Sequence, residues 1–518
     1  MEVNGLLNSP IPFIMMGIYL AVVVFLSCRV MVRNKIRRKN RSQTFEDFYT
    51  GNKSMPAVVV GLVTIVTFYS GTTFTGRVGF FYNYGVVALT TVFSSSAAGV
   101  IMFFLSEKVW PISKKYHCST LADILELRYQ SRYVKLVCAL IIVSFNTIWL
   151  ITEIRTLGII VNIASGGVVS SQLGSAIAFA IIMAYVCTGG IRSVAAVDSF
   201  SSGLMLAGSV VTVVYIVRTF YQGNVGAMFA AGMHGTEALW TVAKDAEFGY
   251  SYWISSVLVS TIVMLVYPSN YMSICMGENV RAVKKASLAA SMSGIWLMIY
   301  GVIAAAALGL GSHGIMIHNP EASLLEMVSY SGNGFMLGLV TTFVLAASLG
   351  TLDSTLISLS GILSNDILVN GKNIRNQVPC IGSGAEGGST GAGNEGVGLT
   401  RAMILLLGIV ALVLSMKQLP LLVLLVNYAS NGLLQLVPAV LGGLYWKKAT
   451  AAGAITSMLS GVGTLLILDL IKRHVYLNDA GFLGGYFLGI PSLAVGVLVF
   501  VAVSCLTCRE GRGLFLGE

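Results

Sequence analysis

The sequence predicts an all-α polytopic membrane protein of about thirteen transmembrane helices, and three observations predict it. Of its 518 residues 55% are hydrophobic and only 10% charged, with a mean hydropathy of +0.81. That balance is far from a soluble domain's. Apolar runs of span length, about 20 residues each, recur along the whole chain, with no polar tract long enough to fold by itself. Two of the runs are interrupted in mid-span, at matching places in two consecutive five-helix groups. Paired interruptions of this kind point to inverted repeats around a midplane binding site.

The first run, 11–32, has almost no basic residue before it and no cleavage site after it, so it reads as a retained helix rather than a signal peptide. Seven basic residues follow between Arg29 and Arg41. They mark a cytoplasmic flank and put the N-terminus outside. The next runs are 56–82 (interrupted), 86–106, 133–163, 172–188 and 196–220. Then come 253–276 (interrupted), 286–310, 334–368, 401–416 and 419–446, and finally 451–471 and 485–506. The expected organisation is an N-terminal extra helix and basic loop (1–45), a first repeat (46–221), an external loop (222–252), a second repeat (253–449) and two C-terminal helices with a short tail (450–518). An odd helix number puts the C-terminus in the cytoplasm. Lys108, Lys114, Lys115, Arg128, Arg132, Arg192, Arg281, Lys284, Lys285, Lys447 and Lys448 then fall inside, as the positive-inside rule asks. Arg218, Lys417, Lys472 and Arg473 run against it.

These loops account for the net charge of +10, which is therefore no sign of nucleic acid. Residues 371–398 form a polar, glycine-rich connector inside the second repeat, read as a flexible cytoplasmic linker. Its Gly382-x-Gly384-x-x-Gly387 matches a dinucleotide fingerprint only as a string, since no strand precedes it. The sequons at Asn40 and Asn52 lie on the inner side and are expected to be unused. The eight cysteines are scattered, and the Cys505-x-x-Cys508 pair has no second pair to complete a zinc site. The histidines fall in loops with no metal-ligand spacing.

The stretch 344–367 carries an acid and a run of hydroxyls in an otherwise apolar helix. Ala347, Gly350, Thr351 and Ser354 share one helical face, and Gly350, Asp353 and Ser354 an adjoining one. Small residues let another backbone approach, and hydroxyl and carboxylate oxygens suit a hard cation. A carboxylate at mid-membrane costs roughly 2.5 kcal/mol or more, so Asp353 needs a partner or an ion. The plainer alternative is a helix-packing face with one internally paired acid. The interruptions are TFYSGTT (67–73), with glycine and hydroxyls in mid-span, and YPSN (267–270), with a proline there. Backbone freed at that depth is tolerated only when buried or lining a cavity. Polar and aromatic residues beside the breaks, Phe68, Thr72, Thr73, Tyr267 and Asn270, are the solute-contact candidates. Glu153 and Arg155 lie two apart in one apolar run and so do not face each other. Each either meets the solute or pairs across helices. Arg77 is an anion-binding candidate or snorkels outward. Asp198 faces the ion path beside Asp353 or satisfies a helix dipole.

Six segments carry a resemblance: FEDFYTGNKSMP (45–56), SGTTFTGRVGFFYNYG (70–85), STLADILELRYQSR (119–132), CTGGIRSVAAVDS (187–199), AASLGTLDSTL (346–356) with SNDI (364–367), and GLYWKKATAAGA (443–454). In their order and spacing the chain resembles the sodium/solute symporter family from about residue 45 to 446. LADILELRYQSR and YPSNYMSICMGENVRAVKK look most like its pantothenate-permease branch. The resemblance implies the two inverted five-helix repeats of the leucine transporter, and sodium-driven uptake by alternating access. It implies a first sodium at Val66, Tyr69, Ala347, Gly350 and Thr351, and a second cation or proton site at Asp198, Asp353 and Ser354. It also implies solute contacts at Phe68, Thr72, Thr73, Tyr267 and Asn270, with Glu153, Arg155 and Arg77 as further candidates. Four features depart from the family. Gly350 stands where Ser is usual, and Asp353 where a hydroxyl is common. Ser273-Ile274-Cys275 replaces a Gln-Arg pair, and Glu153 replaces a neutral Gln. Either the acid pair takes over from a weak first sodium, or a proton couples instead.

The function expected is secondary active, Na+-coupled uptake of a small organic solute across the plasma or inner membrane. An organic anion such as a carboxylate comes first, from Arg77, Arg155 and the pantothenate-like segments; a neutral amino acid or polyol comes second. No catalytic residue or organic cofactor is expected. The partners are the solute and the lipid bilayer, with no nucleic acid and no obligatory protein evident. A non-transporting sensor is the reading of another class, although only about ten residues follow the last helix to carry an output. A channel would instead give non-saturating uptake independent of an opposing ion gradient.

Overall fold

In a computed structural model the described residues are 10–37, 43–242, 248–368, 393–417, 420–476 and 482–508. The chain is all-α. Among the described residues ten helices are long and apolar enough to cross a membrane, or eleven when one bent pair counts as a span. Two more apolar helices, Ala57–Phe68 and Ser171–Cys187, are shorter than a full span, and the expectation of about thirteen counts them in. The linker residues 371–392 and the sequon at Asn40 lie outside the described residues.

The N-terminal helix α1 (Ile11–Arg37) runs on into the basic flank. A short α2 (Phe45–Tyr49) follows. The first interrupted segment is α3 (Ala57–Phe68), α4 (Gly71–Phe74) and α5 (Gly76–Tyr84). Then come α6 (Thr90–Tyr116), α7 (Leu121–Tyr129), α8 (Arg132–Ala164), α9 (Ser171–Gly189), α10 (Ile191–Tyr221) and α11 (Val225–Met233). The second interrupted segment is α12 (Tyr250–Ile262) and α13 (Pro268–Met276), joined through a 3-10 turn and bent by 42°. After it stand α14 (Val280–Trp296), α15 (Met298–Gly309), α16 (Ser323–Tyr330) and α17 (Gly334–Gly361), the last ending in a π-helical turn, Ile362–Leu368. The chain closes with α18 (Gly393–Ser415), α19 (Leu422–Leu433), α20 (Val437–Tyr445), α21 (Ala451–His474) and α22 (Gly489–Thr507). Helix α18 starts eight residues before the expected span at 401, inside the stretch read as linker. The short helices α7, α11 and α16 have no counterpart in the sequence reading, because they are too short to register as spans.

The fold is organised around α17. In its most apolar window 89% of residues are buried, against 28% in α1, α21 and α22. Helices α1, α3, α8, α10 and α18 pack around it. The peripheral three expose large apolar side chains such as Phe25, Ile467 and Leu498, which suit lipid. The two interrupted segments meet at one end. Met55 N–H donates to Met276 O (3.0 Å) and Glu278 N–H donates to Met55 O (3.0 Å), so backbone pairing ties the start of α3 to the end of α13. Helix α14 crosses both α3 and α6 closely. At the α6 crossing, a Cβ on Gly99 would lie 2.5 Å from the backbone of Ser287 and Ser291, while Ser291 Oγ donates to Ser96 O (2.8 Å). Small residues there replace the hydrophobic driving force that is absent between helices in lipid.

That crossing gives a paired prediction. Gly99→Leu should lower the melting temperature of the detergent-purified protein by several degrees, since overpacking costs about 1–3 kcal/mol. Gly17→Leu, where nothing lies within 4 Å of the added Cβ, should leave it unchanged. Equal effects at the two positions would mean that the close crossing is not what limits stability.

Candidate functional site

The first interruption falls at Tyr69 (φ −101°, ψ 73°) and Ser70, which is extended. The turn that would continue α3 is missing, so carbonyls at its end need other partners. The Val66 carbonyl finds one on α17. Thr351 Oγ1 lies 3.1 Å from Val66 O and 3.3 Å from Ala347 O, within donating distance of both. Gly350 lets the two helices come this close: a Cβ there would meet the Val66 methyls at 2.6–2.7 Å. Tyr69 is fully buried, and its hydroxyl has no hydrogen-bond partner. Of the sequence-derived set, Val66, Ala347, Gly350 and Thr351 are thus in contact, and Tyr69 forms the break itself.

One turn along α17, Asp198, Asp353 and Ser354 are all fully buried. Ser354 Oγ donates to Asp198 Oδ2 (3.1 Å), and Tyr185 of α9 donates to Asp353 Oδ2 (2.7 Å). Asp353 Oδ1 accepts the Ser354 N–H (2.6 Å). Asp198 Oδ1 has no hydrogen-bond partner, and it lies 3.1 Å from where a Gly350 Cβ would stand. A carboxylate oxygen therefore borders the tight contact between Gly350 and Val66. Among the described residues neither acid is in an ion pair. Two such groups buried without counter-charge are costly unless an ion or a proton joins them.

The second interruption is closed from within. Asn270 Nδ2 donates to Met264 O (2.9 Å) and Tyr271 OH donates to Leu265 O (2.8 Å), across the bend at Tyr267. Between the two interruptions lies a cavity enclosing about 950 Å³ of space between atoms, part of it open to solvent. Phe68, Thr72, Arg77, Glu153, Tyr267 and Thr351 line it. Thr72 Oγ1 donates to Glu153 Oε1 (2.8 Å), while Glu153 Oε2 and Arg77 Nη1 have no partner. Trp149 stacks at an angle on Tyr267, with ring centroids 4.5 Å apart.

Three solute candidates from the sequence stand elsewhere. Asn270 is spent on the backbone of its own bend. Thr73 is fully buried, with its hydroxyl unpartnered, and is not part of the cavity wall. Arg155 is also outside that wall and pairs with Glu321 (Nη2 to Oε2, 3.4 Å), the cross-helix alternative of the two read from the sequence. Sequence reasoning missed much of the lining, including Thr91, Ser94 and Ser95 on α6, Ser256 on α12, and Asn427 and Ser430 on α19. A signal existed in the polar runs FSSS (93–96) and NYAS (427–430), each within an apolar helix.

Polar clusters hold both ends of the bundle. At one end Glu321, in a short turn before α16, accepts from the Leu422 N–H (Oε1, 2.9 Å) as well as pairing with Arg155, so it joins α8 to the start of α19. At the other end Lys135 Nζ lies 2.8 Å from Asp123, 3.0 Å from Glu126 and 3.4 Å from Asp366. Thr120 Oγ1 also donates to Asp366 (2.9 Å). Burial pushes the Asp123 carboxyl up, but the Lys135 ammonium and the amides of Ser119 and Thr120 outweigh it and hold the group below the usual carboxylate range. Arg192–Asp47 (3.3 Å) and Lys53–Glu46 add ion pairs between α2 and its neighbours.

Comparisons with known proteins agree with this fold. The profile described as "Sodium:solute symporter family" matches residues 48–461. The chain is 25% identical to a sodium/pantothenate symporter of Escherichia coli (strain K12), over 93% of this chain and 94% of the relative. It is 23% identical to a high-affinity proline transporter of Bacillus subtilis (strain 168), over 90% and 94% respectively. Among solved structures, a substrate-bound, outward-open Na+-coupled sialic acid symporter superposes with a TM-score of 0.76 at 15% identity, covering 97% of this chain and 99% of that one. A nucleobase-cation-symport-1 family transporter in a closed conformation gives 0.56 at 14% identity, covering 91% and 96%. The match over most of its length, on a fold whose two interrupted helices face one central helix, makes this chain a member of the sodium:solute symporter family.

Proposed function

We propose that this symporter takes up a small carboxylate-bearing organic solute with Na+, by alternating access between the two latched ends. The repeats are residues 46–221 and 253–449. The N-terminus lies outside and the C-terminus inside, so the Lys135 cluster is cytoplasmic and Glu321 external. The cation sits at the first interruption, among the carbonyls of Val66, Tyr69 and Ala347, the Thr351 hydroxyl and Asp198. The observation that carries the reading is Asp198 Oδ1, buried, without a partner, and beside the Gly350–Val66 contact. An oxygen set of this kind suits a hard monovalent cation. It also compensates for the serine that the family usually has at 350. The solute occupies the cavity between the interruptions, with its carboxylate on Arg77. Phe68, Thr72 and Tyr267 complete its contacts.

Coupling follows from geometry. A cation that ligates both α3 and α17 favours the arrangement in which those helices touch, and a solute lying on the same interruption shares that preference. Each then raises the other's affinity, and the gradient of one drives the other. A second reading, proton coupling, is favoured by the buried pair Asp198 and Asp353. Uptake of a solute panel into proteoliposomes, under an inward Na+ gradient or an inward H+ gradient, decides between them. Na+-driven accumulation is expected, and accumulation driven only by H+ would overturn the cation assignment.

Thr351→Ala should raise the Na+ concentration for half-maximal uptake about tenfold or more, taking the lost hydroxyl–cation contact as comparable to a hydrogen bond to a charged group, roughly 1.5–3 kcal/mol. An unchanged Na+ dependence would remove Thr351 from the site. Asp353→Asn should uncouple solute flux from the ion gradient. Normal transport by this variant at every Na+ concentration and pH would make Asp353 structural only. Glu321→Gln keeps an acceptor for Leu422 but loses the charge facing Arg155. In that background a Thr91→Cys reporter in the cavity should react faster with a membrane-impermeant thiol reagent added outside, and no acceleration would mean that Glu321 does not hold the outer end shut.

A further inference from the structure

The cavity holds two opposite charges that are not spent on each other. Arg77 lines it and makes no ion pair or hydrogen bond among the described residues, and its Nη1 is buried. Glu153 lines the same cavity and is 3% exposed. Its Oε1 accepts from Thr72 at the first interruption, and its Oε2 is buried without a hydrogen bond, near the Ser70 and Ser348 hydroxyls. No ion pair joins the two residues, although both belong to one wall.

Each class of solute meets this pair differently. A simple carboxylate satisfies Arg77, but brings a second negative charge into a space that already holds Glu153. A polyol brings no charge, so only the attraction between Arg77 and Glu153 across the cavity offsets their burial. A lone amine satisfies Glu153 and repels Arg77. Only an occupant carrying both signs pairs every charge in the cavity and adds no net charge to it. The aromatic rings of Trp149, Tyr252 and Tyr267 on the same wall suit the cationic end through their faces and an apolar side group through their area.

We infer that the solute is a zwitterion, an α-amino acid, with its carboxylate on Arg77 and its ammonium donating to Glu153. The inference rests on the proposed uptake function and narrows it from carboxylates in general. Glu153 then determines specificity. It rejects acids that lack the ammonium, by leaving its own buried oxygen unpaired and facing a like charge.

The test is a competition panel in proteoliposomes under an inward Na+ gradient. It contains the common α-amino acids, simple monocarboxylates, sugars and polyols, and for each compound taken up its deaminated acid and its decarboxylated amine. At least one zwitterion should accumulate, with both single-charge analogues weaker competitors by about thirtyfold or more. Glu153→Gln should shrink the gap between the zwitterion and its deaminated acid, and Arg77→Gln the gap between the zwitterion and its amine. The wild-type ratios stand on their own if either variant fails to fold. A deaminated acid that competes as well as its parent, or accumulation only of monocarboxylates, sugars or polyols, overturns the zwitterion and leaves Na+-driven uptake intact. A Na+ gradient that accumulates nothing in the panel overturns the uptake reading, and the zwitterion with it.

Discussion

The structure depends on one constraint: backbone that is not helical in mid-membrane must find its hydrogen bonds inside the protein. The interruption at Tyr69 and Ser70 creates that need, and α17 meets it with the Thr351 hydroxyl on the Val66 carbonyl. Each unmet group would cost several kcal/mol in a bilayer. Much else about α17 follows. It is buried on all sides, it has glycine where Val66 presses on it, and its Thr351 hydroxyl faces the interrupted helix. The second interruption meets the same need differently, by folding Asn270 and Tyr271 back onto its own carbonyls. One interruption is therefore closed by its own residues, and the other depends on a neighbour. The dependent one is where an ion could change the packing of two helices.

The acids show the same economy. Asp123 and Asp366 are buried but gathered onto Lys135, with amides and a threonine hydroxyl taking up remaining acceptors. Asp198 and Asp353 are buried as deeply and have only hydroxyls and an amide. The first pair is complete and serves to hold α7, α8 and the π-helical turn together. The second is incomplete, and incompleteness at that depth calls for a cation or a proton. Arg155 and Glu153 divide in a similar way. They are two residues apart on one helix; Arg155 is engaged by Glu321, while Glu153 lines the cavity with one oxygen not hydrogen-bonded.

Much of this was legible in the sequence. Span-length hydrophobicity gave the membrane class, and glycine, proline and hydroxyls in mid-span gave both interruptions. The face shared by Ala347, Gly350, Thr351 and Ser354 followed from helical spacing alone. LADILELRYQSR and SNDI stood out as segments, and their meaning became visible only when Asp123 and Asp366 met across Lys135. Arg155 was ambiguous, because nothing in a local window says that Glu321, more than 160 residues away, will reach it. The cavity hydroxyls on α6, α12 and α19 were missed for a related reason. A serine within an apolar helix reads as a packing residue until the helix facing it is known. Asn270 was misjudged because a side chain beside a bend can serve either a ligand or the bend itself.

The central claim is that a sodium ion completes the junction of Val66, Thr351 and Asp198, and one measurement addresses it without knowing the solute. The melting temperature of the purified protein is followed as Na+ replaces K+ at constant ionic strength, for wild type and Asp198→Asn. Binding to the folded state alone stabilises it in proportion to RT ln(1 + [Na+]/Kd). The account predicts a saturable, Na+-specific rise in wild type that is lost in the variant. A rise of the same size in both, or none in wild type, would contradict it.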